Sequence, residues 1–138
     1  MKTFRGKTFY EKKSTVDFIG TIRGGITVAF DAKQTNVETR FDIGNETHVQ
    51  PHQMDYLRQV YLLGGFAFFI IEFSTKGEQY LLPYAAAKRY KDRGLEGGRK
   101  SIAYEEFKTD PHITKLGPGP GIALDFLKPY IRAMGEME

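Results

Sequence analysis

The stretch that decides the fold is TVDFIGTIRGGITVAFDAKQT, residues 15–35. Two runs rich in β-branched and aromatic residues flank the turn signal RGG, so the stretch predicts a β-hairpin. A three-residue loop pairs Ile22 with Ile26, and counting back from that pair sets Asp17 opposite Asp31. A two-residue loop would shift the pairing by one residue, so the alignment of the two aspartates depends on the turn.

The composition of the chain is that of a folded domain. Of its 138 residues, 41% are hydrophobic and 14% aromatic, which is enough for a core and suits one domain over residues 1–138, with 1–13 as a basic arm. The absence of cysteine excludes disulfides and thiolate metal sites. The N-terminus has no apolar signal segment, and the longest apolar run, residues 61–71, is shorter than the about 20 residues that span a bilayer. We therefore expect a soluble cytoplasmic protein with no membrane partner.

Positive charge is concentrated in two segments. The formal net charge is +3, and Lys and Arg exceed Asp and Glu by four in residues 1–13 and again in residues 88–100. Clustered basic residues suit a polyanion such as nucleic acid. The alternative is that both segments are ordinary solvated surface.

Periodicity and turn signals predict further helices and strands after the hairpin, and they leave residues 36–50 as a loop or extended arm. In chain order they are a helix that Pro51 opens and Gly64 ends, a central strand FAFFIIEF (66–73), a strand EQYLLPY (78–84), a helix AAAKRYKDR (85–93), a short helix that Ser101 caps, and a last helix within IALDFLKPYIRAM (122–134). The pattern predicts an α/β fold, with a mixed sheet of four or five strands and helices packed on it.

Side chains along the second strand of the hairpin alternate between two faces. Asp31 and Lys33 share one face. Ile26, Val28 and Phe30 share the other, which we expect to face the core.

The two paired aspartates predict a metal site. The Cβ atoms of directly paired residues lie about 4.5–5.5 Å apart. Two carboxylates on such a pair repel each other unless one is protonated or a cation lies between them. Mg²⁺ prefers oxygen ligands, so Asp17, Asp31 and the Ala32 carbonyl are the predicted ligands. Lys33 would orient a water molecule or stabilise charge during phosphodiester hydrolysis. The simpler interpretation is that Lys33 only pairs with an aspartate at a sheet edge.

The predicted helix after residue 50 begins with His52 and Gln53 in its first turn. A helix N-terminus attracts anions, so these side chains could meet a phosphate or the attacking water. The alternative is an exposed first turn without a function.

Several of these motifs occur together in one known family. STVDFIGTIRGGITVAFDAKQT (14–35), PHQMDYLRQV (51–60), GGFAFFIIEF (64–73) and GRKSI (98–102) resemble, in this order, the RecU family of Holliday junction resolvases. Those proteins are restriction-endonuclease-like nucleases of the PD-(D/E)xK type. The resemblance runs from about residue 9 to about residue 130.

The resemblance implies a restriction-endonuclease-like mixed sheet flanked by helices. It also implies a Mg²⁺-dependent endodeoxyribonuclease, with Mn²⁺ as a substitute, that resolves four-way DNA junctions as a homodimer in a bacterial or phage-infected cell. The implied catalytic residues are Asp17, Asp31, Lys33 and Gln53. The family usually has a further acidic residue on an extra N-terminal helix, and we expect this chain to lack it. Asp31 stands where the family often has Glu, which is one methylene longer.

The resemblance also implies contacts with DNA. The residues concerned are Lys7, Tyr10, Lys12, Lys13, Thr15, His52, Arg99 and Lys100. Tyr10 would stack on an unpaired base, or alternatively pack in the fold. Two other functions fit the same residues: a DNA-binding or scaffold protein that does not cleave, and a nuclease for linear DNA.

Overall fold

The computed structural model describes residues 16–22 and 24–116, and the backbone of two short strands before them. Within these residues the elements, in chain order, are β1 (Lys2–Phe4), β2 (Lys7–Phe9), β3 (Phe18–Ile22), β4 (Ile26–Thr35), β5 (Arg40–Phe41), α1 (Pro51–Leu62), β6 (Phe66–Phe73), β7 (Glu78–Pro83), α2 (Tyr84–Leu95), β8 (Ile102–Ala103), α3 (Tyr104–Thr109) and β9 (Thr114–Lys115). The helix predicted within residues 122–134 lies outside the described residues.

A five-stranded sheet organises the fold, with the order β3-β4-β6-β7-β9. β4 and β6 are parallel and the other neighbours are antiparallel, so the sheet is mixed. Parallel neighbours need a crossover connection, and α1 lies in the connection between β4 and β6. The predicted α/β class is confirmed, and β6 occupies the central position predicted for it.

The predicted hairpin is also confirmed. β3 and β4 pair antiparallel, with Ile22 opposite Ile26 and Phe18 opposite Phe30. Gly24 and Gly25 in the turn have φ values of 94° and 79°, in the left-handed region that glycine adopts without strain. The loop therefore has three residues, the length on which the alignment of the aspartates depended.

Both faces of the sheet carry hydrophobic clusters. The larger cluster lies on the Asp31 face and joins Ala29 and Phe69 of the sheet to Leu57 of α1 and residues of α2 and α3. The smaller cluster contains Val28 on the opposite face. The expectation that the Val28 face is the core face was therefore incomplete. β4 is an interior strand with covered side chains on both faces, and a hairpin read alone does not show where α1 will pack.

Local signals placed some helix boundaries and missed others. α1 begins at Pro51, as predicted, and its chain turns at Gly64 with a φ of 84°. The prediction that Ser101 caps the short helix is wrong, because the N-cap of α3 is Ala103. The backbone N–H of Ala103 donates to the Glu106 carboxylate at 3.0 Å, while the Ser101 carbonyl accepts a hydrogen bond from Arg93 at 2.8 Å.

Residues 36–50 are more ordered than their polar composition suggests. β5 pairs with β8, and Phe41, Ile43 and Val49 are fully buried in the larger cluster. In the described part of the chain, no helix combines the length and the apolar character needed to cross a membrane.

Candidate active site

Asp17 and Asp31 are held together by reciprocal hydrogen bonds to each other's strand. The backbone N–H of Asp17 donates to Asp31 Oδ1 at 3.0 Å. The backbone N–H of Ala32 donates to Asp17 Oδ2, also at 3.0 Å. The turn geometry thus brings the two carboxylates together at the point where β3 begins.

The two carboxylates have different surroundings. Asp17 is exposed, whereas Asp31 is only 1% exposed. Burial raises the pKa of Asp31 above its ordinary value, and the nearby Lys33 ammonium opposes that shift. Asp31 is therefore a buried carboxyl group whose charged form is favoured by a neighbouring cation.

Lys33 supplies one such cation. Its Nζ lies 2.8 Å from Asp31 Oδ2, but among the described residues no donor is aligned for a hydrogen bond with that buried oxygen. The contact is therefore an ion pair without full hydrogen-bond satisfaction of Oδ2. The ion pair between Lys33 and Asp31 is the simpler interpretation given above. The same contact also places the Lys33 ammonium beside the predicted metal ligands.

Gln53 accepts a second contact of the Lys33 ammonium, which also lies beside Asp31. It lies in the first turn of α1 and is 7% exposed, so the exposed-turn alternative does not describe it. Its Oε1 accepts from Lys33 Nζ at 3.0 Å and from the backbone N–H of Gln50 at 3.1 Å. Gln53 thereby links the start of α1 to β4. His52, the preceding residue, is exposed.

The predicted metal ligands are compatible with a hard cation. In a strand, the N–H and C=O of one residue point to the same side. The Ala32 carbonyl therefore faces the side on which Asp17 contacts the Ala32 N–H. Together with Asp31 Oδ2, this gives a set of oxygen donors of the kind that Mg²⁺ prefers, completed by solvent. Among the described residues, no group of three or more His, Cys, Asp or Glu side chains could hold a metal ion. Asp17 and Asp31 are therefore the two described carboxylates of the predicted metal site.

The predicted DNA contacts are placed only in part. The Arg99 Nε donates to Ser101 Oγ at 3.3 Å, and the Lys100 carbonyl accepts from the Gly44 N–H at 3.0 Å. Both basic side chains are exposed, but no described contact joins them to Asp31. Lys7 lies in β2, where only the backbone is described. Tyr10, Lys12, Lys13 and Thr15 lie outside the described residues.

Sequence reasoning missed one link in the site. Lys33 and Gln53 were both singled out, but the hydrogen bond between them joins residues 20 positions apart on different elements. The only available signal was the position of Gln53 two residues after Pro51, in the first turn of the helix that connects β4 to β6.

Comparisons with known proteins agree with these motifs. Residues 2–131 match the family described as "RecU: Recombination protein U". The Holliday junction resolvase RecU of Geobacillus sp. (strain WCH70) is 34% identical over 116 residues, which cover 84% of this chain and 56% of that protein. The protein of the same name from Limosilactobacillus reuteri (strain DSM 20016) is 33% identical over 131 residues, covering 95% and 59%. The chain therefore spans little more than half the length of these curated relatives.

Proposed function

Because this chain belongs to the RecU family, we propose that it is a metal-dependent endodeoxyribonuclease that resolves four-way DNA junctions. The observation that carries the proposal is the pair of carboxylates, Asp17 and Asp31, held by reciprocal hydrogen bonds next to the Lys33 ammonium. Carboxylates that bind a hard cation, with a lysine beside them, provide the groups for metal-assisted hydrolysis of a phosphodiester.

In this proposal, Asp17, Asp31 and the Ala32 carbonyl would hold Mg²⁺, or Mn²⁺ in its place. The cation would neutralise charge on the scissile phosphate and favour the ionisation of water. Lys33 orients the attacking water and stabilises the charge that develops on the phosphoryl oxygens. Gln53 positions Lys33 through its side-chain carbonyl. The water oxygen bonds to phosphorus and gives up a proton to solvent. The bond from phosphorus to the 3′ oxygen breaks, that oxygen takes up a proton from solvent, and the products are a 5′-phosphate and a 3′-hydroxyl.

A junction resolvase must cut two strands at related positions. One chain offers one such site among its described residues, so the proposal includes a homodimer in which each copy cuts one strand. The partner is branched double-stranded DNA. On this proposal the protein acts in the cytoplasm of a bacterial or phage-infected cell, where that DNA is found.

The test is a cleavage assay on a labelled synthetic four-way junction in Mg²⁺, with a linear duplex alongside. We expect paired, symmetric nicks in the junction from the unchanged protein and none from Asp31→Asn, which should still bind the junction. The matched control is Asp55→Asn, because Asp55 is an exposed aspartate of α1 whose described contact is a hydrogen bond from Gln59 at 2.8 Å. Normal nicking by Asp31→Asn would show that the site is wrongly assigned.

The same assay separates the alternatives. Tight binding of the junction without nicks in either Mg²⁺ or Mn²⁺ would identify a protein that binds DNA without cleaving it. Equal cutting of junction and linear duplex would identify a nuclease for linear DNA.

A further inference from the structure

Three lysines surround one tyrosine and one glutamate at the end of the sheet near β9. We call this set, Lys76, Lys108 and Lys115 with Tyr104 and Glu78, the lysine cluster. The three lysines are exposed, and they come from the β6–β7 turn, α3 and β9 respectively. None of them was singled out by the sequence motifs.

Tyr104 and Glu78 organise the lysine cluster. The Tyr104 hydroxyl donates to Glu78 Oε1, and Lys115 Nζ donates to Glu78 Oε2 at 2.9 Å. Lys76 Nζ and Lys108 Nζ lie 4.4 Å and 5.4 Å from the centroid of the Tyr104 ring. Hydrogen bonding from Tyr104, together with Lys115, lowers the pKa of Glu78 to about 2, so this carboxylate stays ionised and keeps Lys115 in place at neutral pH.

The lysine cluster carries a net positive charge that its contacts do not neutralise. Glu78 pairs with Lys115, whereas no described carboxylate forms an ion pair with Lys76 or Lys108. Their contact with the Tyr104 ring is a weak attraction at an exposed site. These contacts therefore add little to the stability of the fold, and both ammonium groups remain available to an anion.

The lysine cluster lies at the same end of the sheet as the candidate active site. Lys33 pairs with Ile71, Ile71 with Tyr80, and Tyr80 with Lys115, so one row of the sheet joins the two lysines. Neighbouring strands lie about 4.8 Å apart, and three steps span roughly 14 Å.

A second connection is more direct. The backbone N–H and the hydroxyl of Ser74 donate to the carbonyl of Thr35 at 2.9 Å and 3.1 Å. Thr35 lies two residues beyond Lys33 on β4, and Ser74 lies two residues before Lys76. The β6–β7 turn that carries Lys76 is therefore fixed to the strand that carries the proposed catalytic residues.

We propose that the lysine cluster binds the DNA backbone of one junction arm, at the same end of the sheet as the phosphate that is cut. This inference rests on the proposed function, because it takes the cut to occur at Asp31 and Lys33. The contact is with phosphates and is independent of sequence.

The test compares two double variants in junction binding without divalent metal, over a series of salt concentrations. Lys76→Gln/Lys108→Gln removes two charges from the lysine cluster. Arg40→Gln/Arg58→Gln removes two exposed charges, one on β5 and one on α1, outside the lysine cluster and outside residues 1–13 and 88–100. Each lost phosphate contact reduces the slope of log K against log [salt] by about 0.9. We expect a slope smaller by about two units for the cluster variant, with the control unchanged.

A second measurement locates the contact. Neutral methylphosphonates are placed singly along both strands around the nick. At one or two of these positions the neutral group should weaken binding of the unchanged protein and have no further effect on Lys76→Gln/Lys108→Gln. Equal effects on both proteins at every position would overturn the inference.

The two proposals fail in different ways. If the unchanged protein binds and nicks the junction but both double variants keep its salt slope, the lysine cluster is not a DNA contact and the proposed function stands. If the unchanged protein binds no DNA at low salt, the proposed function fails and this inference fails with it.

Discussion

Replacing Gln53 with alanine tests the link between α1 and β4. The change removes the acceptor of two hydrogen bonds, one from the Lys33 ammonium at 3.0 Å and one from the Gln50 N–H at 3.1 Å. A hydrogen bond to a charged group is worth about 1.5–3 kcal/mol and a cap about 1 kcal/mol. Lys33 is partly exposed, with 19% of its side chain accessible, so water recovers part of its loss. We therefore expect the free energy of unfolding to fall by about 2–3 kcal/mol.

The assay is thermal unfolding followed by circular dichroism. For a domain of this size, about 1 kcal/mol corresponds to roughly 3–4 °C, so Tm should fall by about 6–12 °C. The matched control is Gln59→Ala on the same helix, because Gln59 is exposed and donates only to the Asp55 side chain among the described contacts. Its effect should stay within about 0.5 kcal/mol. If the two variants have equal Tm values, Gln53 does not hold Lys33 in solution. If Gln53→Ala lowers Tm as expected, its kcat on the junction should also fall with little change in KM, since the ammonium has lost its support.

Two further predictions concern the core and the pH dependence of stability. Leu57 is fully buried and Leu63 is 89% exposed. In urea unfolding, Leu57→Ala should lower the free energy of unfolding by about 2–5 kcal/mol, whereas Leu63→Ala should leave it almost unchanged. Equal losses would contradict the described packing of α1. The hydrogen bond from Tyr104 is the main cause that lowers the pKa of Glu78 to about 2 from an ordinary value of 4.5. A lowered pKa stabilises the folded state above pH 4.5, and this stabilisation is lost as the pH falls from 4.5 toward 2. Over that window Tyr104→Phe should show a smaller decline of Tm than the unchanged protein, and an identical decline would show that the hydrogen bond does not act on Glu78.

The parts of the fold that the sequence predicts well depend on short-range signals. The RGG turn and the alternation of β-branched residues set the register of the hairpin, and from that register follows the meeting of Asp17 and Asp31. Pro51 marks the start of α1 because a proline lacks the N–H that a first helical turn does not use. In each case the residues that specify the structure lie within about 20 positions of one another.

The parts that were missed depend on packing between distant elements. Ser101 has the chemistry of an N-cap, but Glu106 reaches the Ala103 N–H from within α3 and the helix begins two residues later. Phe41 is buried because β5 pairs with β8, about 60 residues further along the chain. Local composition around Phe41 is polar, so no nearby pattern indicates that burial.

The lysine cluster shows the same limit at the level of function. Lys76, Lys108 and Lys115 occur in three separate elements, with ordinary neighbours in each. Only the sheet order and the contact of Tyr104 with Glu78 bring them together. A charge pattern along the chain detects runs of basic residues, such as residues 88–100, but it cannot detect a surface assembled from isolated lysines.

β4 pairs with one strand that is close to it in sequence and with one that is far from it, and this affects the order of folding during synthesis. Its contacts with β3 join residues close in sequence, with Phe18 opposite Phe30, whereas its contacts with β6 begin with Val28 opposite Phe66. Hairpins form in about 1–10 μs, while pairing over long sequence separations is slower. During translation, the hairpin that carries both aspartates can close before α1 and β6 have been synthesised. We therefore expect a nascent chain to bring its two carboxylates together before Gln53 is available to hold Lys33, so that the proposed cation ligands meet before the support of the lysine is complete.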